Sequence, residues 1–359
     1  MPSRRKTVMT VSGIRPDFIR MSAIFKKLDQ EFNHVLVHTG QHYDRLLSGV
    51  FFEDLDIREP DHTLVCGKAG GGHQHQLGYL STALIDLIRE KDIQPDIIIF
   101  LGDSNTVCAA LPLRKEGYVI GHVEAGMRSH DKRMLEEINR TVCDHCSHIC
   151  FVYHDDYRVH LENENIKDNI HVVGNTIVEV AKKFLPTTPK RLDQILVDIH
   201  RPENYKSPGR MRNLLSFANR CKELYNLPVR MLRFHGTCRA IEEHNLELGE
   251  VELTDLMSYK EYLDTIHHCK FLVSDSGTGQ EEPALCNTPV VVPRDYTERP
   301  QSIDAGCSVL LSLDDLSNAG TVHSWLEAGA RHTMDTSWLG DGDTAEKVVR
   351  ELHTYLEHA

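Results

Sequence analysis

Apolar residues along this chain fall into two alternating patterns. Short unbroken runs such as Ile97–Leu101 and Val290–Val292 alternate with longer stretches in which apolar residues return every three or four positions. A short run bounded by glycine or polar residues predicts a strand buried on both faces, as parallel sheets supply. The longer spacing predicts helices that cover it. In the first half the strands are expected at Thr7–Ser12, His34–Thr39, Ile97–Gly102, Val119–Val123, Ile149–Tyr153 and Ile170–Val173. Helices are expected near Asp17–Asp29, Tyr43–Leu55, His73–Glu90, Ser104–Lys115, Leu135–Cys146 and Asp155–Asn163. The run Phe-Leu-Pro-Thr-Thr-Pro-Lys at 184–190 then breaks the alternation and predicts a linker. Beyond it, strands are expected at Ile195–Ile199, Val229–Phe234, Phe271–Ser274, Val290–Val292 and Ser308–Leu311. Their helices fall near Arg210–Tyr225, Tyr259–His267, Gln280–Leu285, Gln301–Ala305 and Ala345–Glu357. The expected fold class is α/β, with two Rossmann-like doubly wound domains over residues 1–184 and 191–340. Two such domains should face each other across a cleft, with ligands beyond the carboxyl ends of the strands.

Composition narrows the partners. The chain has 359 residues, enough for two cores, and 53 Asp plus Glu against 40 Lys plus Arg give a net charge of −13. No basic stripe for nucleic acid is expected from that balance. Apolar runs reach only about six residues, against the ~20 that a membrane span requires. The basic opening Met-Pro-Ser-Arg-Arg-Lys is not followed by an apolar signal region, so the expectation is a soluble cytoplasmic protein. Cys143, Cys146 and Cys150, with His145 and His148, have part of a zinc-binding spacing. They also fall on one predicted helical stripe with Ile138 and Val142, and buried thiols explain that stripe without a metal.

Polar residues gather at strand ends. The first strand runs into Gly13-Ile14-Arg15-Pro16, the second into Gly40-Gln41-His42, the third into Gly102-Asp103-Ser104-Asn105 and the fourth into Glu124-Ala125-Gly126. Asp103 alone could be a helix cap. Asp103 and Glu124 on neighbouring strand tips, followed by Glu136, Glu137 and Arg140 at a helix start, read instead as converging carboxylates that could titrate as acid and base. In the second half, Asp275-Ser276-Gly277-Thr278-Gly279 followed by a helix offers backbone N–H groups to a phosphate. Arg294 and Arg299 lie downstream, and His200 follows the first strand of that domain.

Taken in order, these motifs resemble the non-hydrolysing UDP-N-acetylglucosamine 2-epimerases over nearly the full chain. They are G-I-R-P-D-F-I-R from Gly13, H-T-G-Q-H-Y-D from His38, G-D-S-N-T from Gly102, H-V-E-A-G-M-R from His122 and E-E-I-N-R from Glu136. They continue as G-N-T from Gly174, H-R-P-E-N from His200, D-S-G-T-G-Q-E-E from Asp275 and R-D-Y-T-E-R-P from Arg294. The resemblance implies the two-domain glycosyltransferase-B arrangement, with the last helix, 341–359, crossing back to the first domain. It implies inversion at C2 of a UDP-N-acetylhexosamine by loss of UDP, a 2-acetamidoglucal intermediate and re-addition of UDP. No NAD, other cofactor or metal is implied; the partner is the UDP-sugar substrate, and homodimers are the family habit. Carried over residue by residue, Asp103, Glu124, Glu136 and His200 are the implied catalytic set. Arg15, Arg20, Gln41, Arg140, His235, Ser276, Gly277, Thr278, Glu282 and Arg299 are the implied substrate and UDP contacts, with Glu282 on the ribose hydroxyls and Arg15 with the Ser276 loop on the phosphates.

Departures from the family pattern bear on the substrate. Arg20 stands where lysine is usual, Pro202 replaces the second arginine of H-R-R-E-N, and His235-Gly236-Thr237-Cys238-Arg239 has lost a proline. Arg20 and the His38–Asp44 segment resemble branches acting on modified sugars such as 6-deoxy-L-hexosamine or diacetamido-uronate nucleotides. Gln41-His42-Tyr43 replaces the Gln-His-Arg that many members use for an activating second nucleotide sugar, which implies that no such site operates here. A hydrolysing epimerase, a glycosyltransferase on the same fold and a non-catalytic nucleotide-sugar sensor are the alternatives. The three-carboxylate set favours the epimerase over the glycosyltransferase and the sensor.

Overall fold

Seven short apolar segments of the first half pair in parallel into one sheet: β1 (Thr7–Ser12), β2 (Asn33–His38), β3 (His62–Thr63), β4 (Ile97–Leu101), β5 (Ile120–Val123), β6 (Ile149–Val152) and β7 (Ile170–Val172). The computed structural model describes residues 4–41, 49–67, 72–131, 134–329 and 334–358. Within it the chain divides into two units, Met1–Val180 with Leu339–Ala359, and Ala181–Trp338. The first sheet has the order β3-β2-β1-β4-β5-β6-β7. Every residue of β1, β4, β5 and β6 is buried, and β4 and β6 accordingly read as continuous apolar runs, whereas β1 and β5 bury Thr7, Thr10, Ser12 and His122 as well. The edge strands β3 and β7 are short and partly exposed, so the sheet ends in little open backbone.

The C-terminal helix Thr344–His358 belongs to this first unit and packs against the helix Arg15–Glu31. It buries Ala345, Val348, Val349, Leu352 and Leu356 at helical spacing. Lys27 pairs with Glu346 at 2.5 Å, and the Glu179 carboxylate accepts the Ala345 N–H at 2.8 Å.

The second unit repeats the plan with β8 (Gln194–Asp198), β9 (Val229–Leu232), β10 (Glu252–Thr254), β11 (Cys269–Ser274), β12 (Val290–Val292) and β13 (Ser308–Leu310), in the order β10-β9-β8-β11-β12-β13. Its core joins Ile195, Val197, Phe271 and Val273 of the sheet to Met211, Leu214 and Phe217 of the helix Pro208–Tyr225. In both sheets the strand order reverses beside the first strand, between β1 and β4 and between β8 and β11. Such a reversal splays the two following loops apart and leaves a crevice at the carboxyl edge, where ligands of doubly wound sheets bind.

Several expected elements come out differently. The linker expected to begin at 184 is preceded by a helix, Thr176–Phe184, and the two units divide within it, at Val180/Ala181. Ser104–Lys115 is a 3₁₀ turn, Asn105–Ala109, followed by a six-residue α-helix. Gln280–Leu285 is a 3₁₀ turn, Thr278–Gln280, and then only four helical residues with Pro283 inside the first turn. The stripe expected to join the cysteines to Ile138 and Val142 is rotated: Leu135–Cys146 buries Arg140, Cys143, Asp144 and Cys146, whereas Ile138 is 56% exposed. Cys143 and Cys150 are fully enclosed, and burial pushes both thiols well above their ordinary range. His42, Tyr43 and Asp44, together with the start of the helix expected at Tyr43, lie outside the described residues. Among the described residues no helix is long and apolar enough to cross a membrane.

Candidate active site

In the first unit the strand tips at the reversal carry charge. Arg20, on the helix after β1, pairs with the Glu124 carboxylate, and Arg140 pairs with Asp103 and lies 3.7 Å from Glu124. The Arg20, Glu124 and Arg140 side chains are at least nine-tenths buried, and Asp103 is 26% exposed. Four groups therefore alternate in sign, Arg20–Glu124–Arg140–Asp103, and only the last reaches outward. Burying single charges is costly, so carboxylates and guanidinium groups set in alternation offset one another's burial. The Arg20 guanidinium also lies 5.5 Å from the centre of the Tyr153 ring.

Backbone conformation reinforces this picture. Glu124 has φ of +70°, a left-handed conformation that non-glycine residues occupy at a cost of order 1–3 kcal/mol. The turn after β1 is tight: a Cβ on Gly13 would sit 1.9 Å from the Thr106 hydroxyl, so no larger residue fits there. Asp17 secures that turn, one carboxylate oxygen accepting the N–H groups of Gly13 at 2.9 Å and Ile14 at 3.1 Å. Burial pushes the Asp17 carboxyl up to about 7, its two backbone bonds oppose the rise, and the charge of Asp103 adds to it. Gln41 accepts from the backbone and hydroxyl of Thr106, so it braces the β4 loop.

The helix Leu135–Cys146 organises the tips. Glu136 is partly exposed one turn ahead of Arg140, and Asn139 donates to the Asp103 carbonyl at 2.9 Å. Glu137, its neighbour, instead clamps the loop before the helix, accepting from Ser129 and His130 backbone N–H at 2.9 Å each. One turn beyond Arg140, Asp144 accepts from the His122 ring at 2.6 Å and from Arg128 at 2.8 Å. Burial would raise the Asp144 carboxyl, but the His122 and Arg128 contacts hold it below its ordinary value.

In the second unit the reversal between β8 and β11 brings His200 to Asp275. The buried Asp275 carboxylate accepts the N–H groups of His200 at 3.0 Å and Arg201 at 3.1 Å and the Asn204 amide at 3.0 Å. His200 Nδ1 lies 3.2 Å from Asp198, and its ring packs on Phe234 at 5.1 Å. Burial would lower this histidine, yet the Asp198 hydrogen bond and the Asp275 and Asp198 charges raise it above its ordinary value. Nδ1 is thus engaged, and Nε2 is the atom left to serve a ligand.

After β11, the Ser276 and Thr278 hydroxyls lie 3.1 Å apart on a loop supported from below by Arg299. Arg299 is 3% exposed and gives its Nε–H to Glu281 at 2.5 Å, while a Cβ on Gly277 would meet its guanidinium at 2.5 Å. Glu298, fully buried, pairs with Arg294 at 2.9 Å and Arg201 at 3.6 Å. Glu282 is buried beside Tyr259. His235 is exposed at the start of the helix His235–Glu243. The helix after the loop is only four residues long, too short to present a substantial helix dipole at its start.

Asp103, Glu124, Arg20 and Arg140 are thus brought together, and Ser276, Gly277, Thr278 and Arg299 form a second group. Arg15 is partly exposed at the start of its helix. Sequence reading gave no role to Asp17, Asp144, Asp198, Asp275 or Glu281. One signal was available: Glu136, Arg140 and Asp144 are spaced by four and must share a helix face.

Two doubly wound parallel sheets with charged strand tips at both reversals define a nucleotide-ligand class of α/β enzyme. The sequence profile of UDP-N-acetylglucosamine 2-epimerase matches residues 26–353, and the chain belongs to that family, whose activity is an isomerase activity. The UDP-N-acetylglucosamine 2-epimerase of Methanococcus maripaludis is 31% identical over 364 residues, covering 94% of this chain and 96% of that protein. The UDP-2,3-diacetamido-2,3-dideoxy-D-glucuronate 2-epimerase of Pseudomonas aeruginosa is 33% identical over 348 residues, covering 93% and 94%. The crystal structure of Methanocaldococcus jannaschii UDP-GlcNAc 2-epimerase in complex with UDP-GlcNAc and UDP superposes with a TM-score of 0.87 at 28% identity, covering 97% of this chain and 99% of that one.

Proposed function

We propose that the protein is a non-hydrolysing 2-epimerase that interconverts UDP-N-acetylglucosamine and UDP-N-acetylmannosamine or a close derivative. The observation that carries this reading is the alternating row Arg20–Glu124–Arg140–Asp103 at the β1/β4 reversal. A transferase needs a nucleotide cradle; it does not need two carboxylates held beside each other among arginines. The C2 hydrogen of the sugar has no carbonyl beside it, so it becomes acidic only when C1 acquires oxocarbenium character. In this reading the C1–O bond breaks with its electron pair leaving on the UDP phosphate, and His200, through Nε2, hydrogen-bonds that oxygen as charge develops. A carboxylate among Asp103, Glu124 and Glu136 takes the C2 proton, leaving 2-acetamidoglucal and UDP. A proton then arrives at C2 from the other face as UDP returns to C1, so no electrons are gained or lost. Two carboxylates in unlike surroundings suit these opposed tasks: Glu124 is sealed between arginines, whereas Asp103 is partly open.

Ser276, Gly277, Thr278 and Arg15 are proposed for the diphosphate, Glu282 for the ribose, and Gln41 and His235 for the remaining substrate contacts. Arg20, Arg140 and Arg299 are proposed to act chiefly by holding the carboxylates and the Ser276 loop. A homodimer in the cytoplasm is proposed on the family resemblance alone. A second reading, a modified sugar such as a diacetamido-uronate, is favoured by the 33% identity to the Pseudomonas aeruginosa enzyme together with Arg20 in place of lysine. Incubation in heavy water with UDP-N-acetylglucosamine, and separately with UDP-diacetamido-glucuronate, tests both. Deuterium at C2 with UDP still attached is expected for the true substrate. Release of free sugar, or exchange only with an acceptor present, overturns the epimerase reading.

A further inference from the structure

His122 is completely buried near the end of β5, two residues before Glu124. Both of its ring nitrogens meet oxygen atoms that can only accept. Nδ1 lies 2.6 Å from the Asp144 carboxylate, and Nε2 lies 2.8 Å from the backbone carbonyl of Gly102. A neutral imidazole carries one N–H and could satisfy only one of them, leaving a lone pair facing a lone pair in a dry interior. We propose that His122 is a standing imidazolium, a positioning residue that fixes the Asp103 and Glu124 tips through the Gly102 carbonyl.

The surroundings fit that charge. On β6 the register partner of His122 is the buried thiol Cys150, and on β4 it is Phe100, neither of which brings a competing charge. The helix Leu135–Cys146 supplies Asp144 and the buried thiol Cys143. Asp144 balances two cations, the His122 ring and Arg128, and also accepts the Gly126 N–H at 3.2 Å. Arg128 passes on to Glu164 through two bonds of 2.7 Å. One carboxylate therefore ties β5, the loop after Glu124 and, through the His122 ring, the β4 tip to the helix that carries Glu136 and Arg140. Glu124 has φ of +70°, costly for a residue with a side chain, and Gly102 has φ of +72°, which glycine adopts freely, so two left-handed tips flank the ring that restrains them. Losing the proton would free the Gly102 carbonyl, and with it the setting of Asp103 against Arg140.

The ring state can be read without turnover. Long-range proton–nitrogen correlation spectra of uniformly ¹⁵N-labelled protein at pH 8.5 should show one histidine whose two ring nitrogens are both protonated. That signal should vanish in His122→Asn or, should that variant not fold, lose its second proton in Asp144→Asn. The kinetic arm rests on the epimerase reading: Asp144→Asn and His122→Gln should lower kcat by about 10²-fold, as a misplaced catalytic group does, with UDP affinity within a few-fold. A histidine at this position with one bare ring nitrogen at pH 8.5 overturns the proposal, as do variants with undiminished kcat. Should the unaltered protein turn over no UDP-sugar, the epimerase reading fails while the spectra still decide the ring.

Discussion

A carboxylate locked between two guanidinium groups cannot be changed without changing its partners, and this shapes what substitutions at Glu124 and Asp103 will do. Glu124→Gln leaves Arg20 facing a neutral amide in a buried site, which costs about 3–5 kcal/mol of stability. Asp103→Asn, partly exposed, should cost less. Glu136→Gln, partly exposed, should cost less still. All three should lower kcat by at least about 10²-fold per folded molecule, with UDP affinity within a few-fold. Ser276→Ala should do the reverse, weakening UDP while sparing turnover at saturation. Isothermal titration with UDP beside steady-state rates, both normalised to folded fraction, checks this; near-normal kcat in the carboxylate variants would move the chemistry elsewhere. Asp17 supplies a different signature. Its carboxyl is raised from 3.8 to about 7, so the folded state binds the proton more tightly than the unfolded chain. That contribution is complete below about pH 4 and is lost as pH rises through about 7. In Asp17→Asn the amide oxygen can still accept from Gly13 and Ile14 but no longer titrates. Urea unfolding should therefore show the variant gaining on the unaltered protein between pH 4 and pH 8, by up to roughly 4 kcal/mol. A difference independent of pH would mean that the carboxyl is not raised.

At the scale of elements, legibility in the sequence tracks how much local patterning each element needs. Central strands such as β4 and β12 are all apolar and bounded by polar turns, and their runs mark them with ends shifted by a residue or so. The edge strands β3 and β10 have two and three residues of mixed character, and pairing with a neighbour, not composition, makes them strands. Short helices such as Pro202–Tyr205 and Ala319–Gly329 gave no signal because tertiary packing stabilises them. The helix expected at Gln280–Leu285 shrinks to Glu282–Leu285, with Gln280 closing the 3₁₀ turn Thr278–Gln280, since Pro283 permits either in a first turn. The cysteine stripe on Leu135–Cys146 was misjudged for a more instructive reason. Its apolar spacing points Ile138 inward and says nothing of Asp144, whereas the helix buries Asp144 together with Arg140, the residue expected beside the carboxylates, and leaves Ile138 in water. Hydrophobic periodicity fails where the buried face is a polar network, and that is where the candidate site lies. The motifs at strand ends were legible because strand tips concentrate functional residues. The residues that hold them were not, because Asp144 and Glu281 act through partners 22 and 18 residues away.

For the whole molecule, the division of the chain makes the first unit depend on its last residues. Thr344–His358 is separated from the rest of that unit by the entire second unit in sequence, yet its apolar stripe is buried in the first. Val348, Val349, Leu352 and Leu356 are at most 5% exposed, and at about 1.5–3 kcal/mol each their burial contributes roughly 6–12 kcal/mol. That equals the whole stability of an ordinary domain. The Lys27–Glu346 pair adds little, because both side chains are substantially exposed and water screens them. Ending the chain after Gly342 should therefore unfold or loosen the first unit, whereas Glu346→Ala should leave it nearly as stable as before. Hydrogen exchange distinguishes the two cases. In the shortened chain, amides of β1, β4 and β5 should lose protection by several orders of magnitude while those of β8, β11 and β12 keep it. The second unit should then still bind UDP, and turnover should be absent because the carboxylate row is gone. Undiminished protection across β1, β4 and β5 would show that the helix is an appendage, and that the first unit draws its stability from residues before Val180 alone.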